Sequence, residues 1–398
     1  MPSDALRQFT ISCNSRRHRV ALQPARYWSR AKCPVCMQVV DASRFRRAQK
    51  WLAGLAPRSV VRIAGRFSIV PIDAALIVWA AVILVVTLLL HTVADTWWPA
   101  TMLLFLGRWP WLLPALPLLL LALLLKRRTT AAGIAAVSVV GLFGVMQLSL
   151  GSGRLSAPSF ADSRVRVITF NIDGDAPAGI QLVELVTSWE PDVFAVQECG
   201  ENSRRQLAGI PGYSSDIGVT CLLSKFPIIS IDSMRRDAFR DAGGAAWVKR
   251  YRLKAPAGEF DFTNLHLDTP RKAFDVLIKG DTGATDAITD KTAVRDVESR
   301  LARRWVDLGR GPRLVAGDFN MPVESAIFRQ HWGSMRDGWE NAGVGFGYTR
   351  LAGWIRLRID HVLADSNWSV HSARVLPDYG SDHLPVMVEV DLKPRPRN

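Results

Sequence analysis

An α/β domain preceded by transmembrane helices is the fold this sequence predicts, and three observations predict it. Three long apolar runs lie between positions 69 and 150. The net charge of +14 lies before and among them, leaving the rest of the chain neutral. From Arg164 onward the pattern changes to short β-rich runs separated by turns and amphipathic stretches.

The N-terminal arm comes first. Residues 1–68 hold 14 Lys/Arg against 2 Asp/Glu, residues 69–153 hold 4 against 2, and residues 154–398 hold 32 of each. A large positive charge ordinarily points to nucleic acid, but charge set just ahead of apolar segments reads as membrane-topology charge. A nucleic-acid partner is weakened by this distribution without being excluded, because a neutral domain can still carry a local basic groove. Within the arm, Cys33-Pro-Val-Cys36 has the two-residue gap of a zinc knuckle. Together with Cys13 it is similar to the small zinc ribbons that end in a KCPxCxQVV pattern. Arg16 stands where such a ribbon has its second cysteine, so His18 is the candidate fourth ligand for Zn2+. The competing reading is a degenerate ribbon that holds no metal.

Ile69–Leu90 runs 22 residues with Asp73 as its one charge, enough to cross a hydrocarbon core of ~30 Å. Trp109–Leu125 is 17 residues with three prolines, and Met102–Leu106 extends it; Ala131–Leu150 is 20 and uncharged. Runs of this length predict spanning helices, with buried core helices as the competing reading. Basic residues crowd before the first run (Arg58, Arg62, Arg66) and between the second and third (Lys126, Arg127, Arg128), so both segments are expected on the cytoplasmic side. Three spans then put everything after about residue 151 outside the cytoplasm, with the inner or plasma membrane of a bacterium as the location. A re-entrant second run would reverse that side. With 68 residues ahead of the first span, a cleavable signal peptide is not expected. The expected organisation is an arm over 1–68, a membrane region over 69–150, a Ser/Gly/Pro-bearing linker over 151–163 and a folded domain over 164–392.

Within that domain the strand candidates are 165–172, 192–198, 218–225, 245–253, 260–267, 313–320, 358–364 and 384–392, and the helix candidates are Ile180–Trp189 and Lys291–Leu308. The stretch Arg271–Asp290 reads as a mobile loop at a site rim. Cys199 and Cys221 fall on expected neighbouring strands, where a disulfide and two buried thiols both fit. Nearly every strand candidate ends in an acid, an amide or a histidine: Asn171, Glu198, His266, Asp318 with Asn320, Asp360, and Asp382-His383 just before the last. Any one alone reads as a turn residue or cap. Eight together at strand ends read as one site.

The ordered set TFNI, QE, NLHL, GDFN, IDHV and GSDHLPV resembles the endonuclease/exonuclease/phosphatase family, which includes DNase I-like nucleases, abasic-site endonucleases, inositol-polyphosphate phosphatases and neutral sphingomyelinases. The resemblance covers about Arg164–Leu392. It implies a four-layer α/β sandwich of two packed β-sheets with outer helices. It also implies residue roles. Asn171 and Glu198 look like the metal pair, with Asp382 near the metal, and His266 resembles the histidine that steadies the phosphate. Asp318 would orient or deprotonate water, Asn320 would hold phosphoryl oxygens, and Asp360 would orient His383.

Elementary chemistry agrees with these roles. Phosphate-ester hydrolysis needs a cation for the developing charge, a base for water and well-placed donors. Carboxylate and amide oxygens with few thiols suit Mg2+ or Mn2+. A histidine paired with a carboxylate keeps one tautomer, which suits His383 to stabilising the transition state or protonating a leaving group. Two departures from the family pattern stand out. His361 occupies a place where many relatives have an aromatic residue, and Tyr348-Thr349 a place where relatives often carry Thr-Trp. Arg356 and Arg358 are candidates for phosphate binding, with a solvated salt-bridge role as the alternative.

The reading that results is a membrane-anchored, divalent-metal-dependent phosphoesterase acting outside the cytoplasm on nucleic acid or a phospholipid head group, with no obligate protein partner. Its rival is a catalytically silent binding module that signals to the cysteine-bearing arm. The intact set of acids, amides and histidines argues against the rival.

Overall fold

The computed structural model describes residues 8–13, 16–21, 30–32, 39–41 and 71–394, except 154–159, 161–162, 175–178, 180 and 280–282. The chain divides into two compact units, Met1–Pro71 and Ile72–Asn398. In the first, Gln8–Cys13 pairs antiparallel with Arg16–Ala21, and Arg30–Lys32 with Val39–Asp41. Cys13 ends one of these strands and His18 lies in the next, whereas Cys33 and Cys36 lie outside the described residues.

In the second unit, two six-stranded mixed sheets pack face to face. One runs Ile228–Ser233, Trp247–Ala255, Gly258–His266, Arg313–Asp318, Asp360–Ala364, Arg336–Asp337; the other runs Trp368–Val375, Val386–Leu392, Arg164–Gly174, Val193–Cys199, Cys221–Ser224, Ser214–Asp216. Central strands read as unbroken apolar runs because both of their faces are buried. Val165 and Val167 point between the sheets, while Ile168, Phe170 and Ile172 point outward under the helix Leu182–Trp189. On the other sheet Leu314 and Ala316 face inward, and Val315 joins Ala302, Val306 and Trp332 of the outer helices Ala284–Asp307 and Ala326–Trp332. The period-two alternation thus feeds three apolar layers, and the result is the four-layer sandwich.

Register then brings the polar strand ends into line. Parallel pairing sets Asn171 beside Gln197 and His266 beside Asp318, and antiparallel pairing sets Asp318 opposite Asp360. Gly317, immediately before Asp318, has φ +149°, and a Cβ there would meet the Leu265 carbonyl oxygen at 1.9 Å. Only glycine lets the neighbouring strand approach so closely at the site.

The structure differs from expectation in several elements. Arg271–Asp290, expected as a loop, contains the helix Arg271–Ile278 and the start of the helix Ala284–Asp307. Strands Ile228–Ser233 and Trp368–Val375 carry no strong sequence signal, because at a sheet edge only one side of a strand is paired. Ser149–Leu150, at the end of the third expected apolar run, pairs with Val344–Gly345. The second apolar run is broken: the helix Trp98–Phe105 meets Trp109–Leu124 at 85°. Gly107, Pro110 and Pro114 supply the break, since proline removes a donor and clashes with the preceding turn. Pro71–Val93 and Arg128–Val145 are each long and apolar enough to cross a membrane, and the bent pair makes a third if it counts as one span.

Asp391 closes the domain by joining its last strand to its first. Its carboxylate accepts from Arg164 Nε at 2.9 Å and from the Phe160 amide at 2.8 Å. Burial pushes this carboxyl up, but the Arg164 guanidinium and the Phe160 N–H outweigh burial and hold it below the usual range. A depressed native pKa stabilises the fold above the unfolded value and loses that contribution as pH falls through the native one. Asp391→Asn is therefore expected to lower the unfolding temperature more at pH 7 than at pH 3. Thermal unfolding at the two pH values checks this.

Candidate active site

The site forms where strand ends from both sheets meet. Asn171 is buried and donates through Nδ2 to Glu198 Oε1 and to Asp318 Oδ2, both at 3.0 Å. One amide thus ties together a carboxylate from each sheet. Its Oδ1 accepts from the Asp173 amide at 3.0 Å, at a bend where Asp173 has φ +50°. Glu198 also takes a left-handed φ of +53°. A disulfide between Cys199 and Cys221, with Cα atoms 6.1 Å apart, fastens the chain just beyond it. That bond resolves the open question of the two cysteines.

His266 Nε2 lies 3.5 Å from Glu198 Oε1 and 3.7 Å from Asp318 Oδ2. Asn320, at φ +50°, donates its backbone N–H to Asp318 Oδ1 at 2.8 Å and its side-chain amide to the Leu267 carbonyl at 2.8 Å. Sequence alternation puts Asp318 and Asn320 on one face. The structure joins them by a local turn in which Asn320 braces the carboxylate, while Phe319 is buried among Phe328, Trp332 and His361.

Asp360 Oδ2 accepts from His383 Nδ1 at 2.8 Å, which leaves Nε2 turned toward Asp318 and Asp382 at 3.9 and 3.7 Å. Burial opposes the positive charge on His383, but Asp360, and then Asp318 and Asp382, outweigh it and the imidazole is pushed up to about 9. Burial and then the charge of Asp360 push the Asp318 carboxyl up, against His383 and His266. The pair is arranged so that a proton can be taken by Asp318 and given by His383.

Three groups here escape a reading of strand ends. Arg350 bridges to Asp382 at 2.5 Å, and its backbone pairs with His383. Asp173 is raised by burial and then by Asp382 and Glu198. Thr349 Oγ1 accepts from the amides of Ile359 and Asp360 at 3.1 and 3.2 Å, fixing Asp360 from behind. Arg358, a phosphate-binding candidate by sequence, is buried against Asp337 at 3.2 Å and Glu340 at 3.5 Å instead. Arg356 belongs to the strand Ile355–Leu357 opposite Leu351, one position along from Arg350. His361 packs on Phe328 and binds Asp337 and the Met321 carbonyl, a role within the core.

The donor set fits a hard cation. Asp318, Asp360 and His383 offer ligand atoms within 4.8 Å of one another, and buried Asp360 Oδ1 has no hydrogen-bond partner among the described residues. Asp173, Glu198, Asp318, Asp360 and Asp382 face the fixed charge of Arg350 and two histidines. That excess of carboxylate oxygens is what a hard divalent ion neutralises.

Residues 168–383 match the model of the Endonuclease/Exonuclease/phosphatase family. The chain belongs to this family. Members of the Endonuclease/Exonuclease/phosphatase family hydrolyse phosphate esters, and the site described above lies inside the matched residues. Solved structures similar to the chain include a humanized D. rerio TDP2, 16% identical over 57% of this chain and 99% of that one, TM-score 0.46. An endonuclease/exonuclease/phosphatase from Beutenbergia cavernae is 19% identical over 58% and 72%, TM-score 0.42. A mannosyl-6-phosphatase from Bacteroides thetaiotaomicron is 20% identical over 57% and 99%, TM-score 0.40. No curated protein matches the sequence.

Proposed function

We propose that the chain is a membrane-anchored, Mg2+- or Mn2+-dependent phosphoesterase whose site lies outside the cytoplasm. The observation that carries the reading is the two-sheet cluster in which Asn171 ties Glu198 to Asp318 while Asp360 holds His383. Glu198, with Asn171 and Asp382 beside it, would hold a divalent ion, which would neutralise charge on the phosphate. Asp318 orients water and takes its proton, since burial raises its basicity. His266 and Asn320 flank that position, Asn320 bracing Asp318 and His266 steadying the phosphate. Protonated His383, kept in one tautomer by Asp360, donates to the phosphoryl or leaving oxygen.

The membrane side of the proposal rests on which helix ends meet. Asp73, in the first turn of Pro71–Leu88, accepts from Arg127 at 2.5 Å and from Thr130 at 2.6 Å. At the opposite end Arg329 donates to the His91 carbonyl at 2.9 Å, Trp109 to the Trp354 carbonyl at 3.1 Å, and Arg108 to Val145 at 3.3 Å. Between these two ends the chain passes three times: Pro71 to Val93, Trp109 to Leu124, and Arg128 to Val145. An odd number of passages supports three spans, with Trp98–Phe105 lying along the catalytic side. Lys126, Arg127 and Arg128 support a cytoplasmic far side by the positive-inside tendency, and the disulfide suits an oxidising compartment opposite.

The full chain in lipid nanodiscs is expected to cleave bis-(p-nitrophenyl) phosphate with Mg2+, to stop on chelation, and to resume when Mg2+ or Mn2+ is returned. Cleavage that survives exhaustive chelation contradicts the metal assignment, and a folded chain inert toward this ester contradicts the hydrolase reading.

A further inference from the structure

We propose that the substrate of this site is the phosphate ester of a membrane lipid head group, taken directly from the bilayer that anchors the chain. The inference rests on the hydrolase reading above and adds the substrate class. It follows from where the segments leaving the site go. The strand that ends at His266 continues into the helix Arg271–Ile278, whose Phe274 ring lies 5.3 Å from that of Phe105. The strand that ends at Asp318 continues through Asn320 to Glu324 and Ser325, which bind Arg108 and Asp95. Arg350, paired with His383, opens the hairpin of Arg350–Ala352 and Ile355–Leu357, where the Trp354 carbonyl accepts from Trp109. All four partners, Asp95, Phe105, Arg108 and Trp109, belong to the connection between the first apolar helix and the next.

These paths are short. At about 3.3 Å per residue, Asn320 to Ser325 and Arg350 to Trp354 each span no more than roughly 13–17 Å. Asn320 and Arg350 at the site therefore lie within roughly 13–17 Å of residues that bind the connection between the first two apolar helices. The surface there is aromatic: Trp97, Trp98, Trp109 and Trp354 are between 40% and 52% exposed. Tryptophan sits at membrane–water interfaces because its ring is apolar and its N–H is wet. The even balance of Lys/Arg and Asp/Glu over residues 154–398 weighs against a polynucleotide, whose binding rests on many phosphate contacts from Lys and Arg. In the reaction, the oxygen of water adds to phosphorus and the ester P–O bond breaks with its electron pair on the leaving oxygen. That oxygen takes up the proton. One lipid product keeps its acyl chains in the bilayer, and the other diffuses away.

The test uses the full chain in vesicles of phosphatidylcholine, phosphatidylethanolamine, phosphatidylglycerol and phosphatidic acid with Mg2+, followed by 31P NMR. Parallel samples hold plasmid DNA, bis-(p-nitrophenyl) phosphate, or glycerophosphoglycerol and glycerophosphoethanolamine as soluble head-group esters at the same ester concentration. The expected result is that at least one vesicle lipid loses its phosphate resonance about tenfold or more faster than the soluble head-group ester, because the anchor holds site and lipid at one surface. Intact lipid with cleavage of bis-(p-nitrophenyl) phosphate, of a soluble head-group ester or of DNA overturns the lipid inference and leaves the hydrolase reading standing. No cleavage of any ester overturns the hydrolase reading itself.

Discussion

Asp318→Asn is expected to leave the protein folded and to lower phosphate-ester hydrolysis about a thousandfold or more, a loss of roughly 4 kcal/mol of transition-state stabilisation. Asparagine has nearly the shape of aspartate and can still accept the Asn320 amide that reaches Oδ1 at 2.8 Å. What it lacks is a basic oxygen, together with the acceptor that Asp318 Oδ2 offers to Asn171 Nδ2. Asp318 is buried between the sheets, where low dielectric and the charge of Asp360 raise its proton affinity. Two of its neighbours cannot take its place, because Asp360 is committed to His383 at 2.8 Å and Asp382 to Arg350 at 2.5 Å. Steady-state rates on bis-(p-nitrophenyl) phosphate, with thermal unfolding of the same preparation, separate lost chemistry from lost structure. A variant that keeps a tenth of the parent's rate contradicts the role given to Asp318.

Arg108→Met is expected to cost about 3–5 kcal/mol of stability, the range for removing one partner of a buried ion pair. Arg108 comes from the loop after the helix Trp98–Phe105, and its guanidinium meets Glu324 with both side chains almost free of solvent. Burial raises the Glu324 carboxyl, but Arg108 outweighs burial and holds it below the usual range. Without the arginine, an unpaired carboxylate is left in the interior, or must take up a proton. The thermal unfolding temperature of the full chain in detergent should fall markedly. Arg108→Met combined with Glu324→Gln should recover much of the loss, since no charge is then stranded. If the single variant unfolds as the parent does, the loop does not anchor the catalytic domain.

Much of this architecture is legible in the residues. Strands such as Arg164–Gly174 and Arg313–Asp318 announce themselves by apolar runs, β-branched in the first, and their register lines up Asn171, His266, Asp318 and Asp360 at one end. Sequence motif and sheet geometry agree there because a buried polar side chain needs partners, and the ends of neighbouring strands supply them to one another. Arg350 and Thr349 are not legible in the same way: they reach the site through an isolated bridge to His383 and through hydrogen bonds to backbone amides. Arg358 misleads for the opposite reason. It lies two residues before Asp360, and its side chain is taken by Asp337 and Glu340, which belong to other elements. The break at Gly107 is marked by glycine and prolines, but the direction of the 85° turn depends on Glu324 and Trp354, more than 200 residues away.

The measurement that reaches the central claim most directly is binding of Mn2+ by the full chain, followed by electron paramagnetic resonance of the free ion. The account predicts one equivalent bound, displaced by excess Mg2+ and lost in Glu198→Gln, whose side chain keeps its size but gives up the carboxylate that Asn171 holds in place. A folded chain that takes up no Mn2+, or that binds it equally well after Glu198→Gln, would contradict the account.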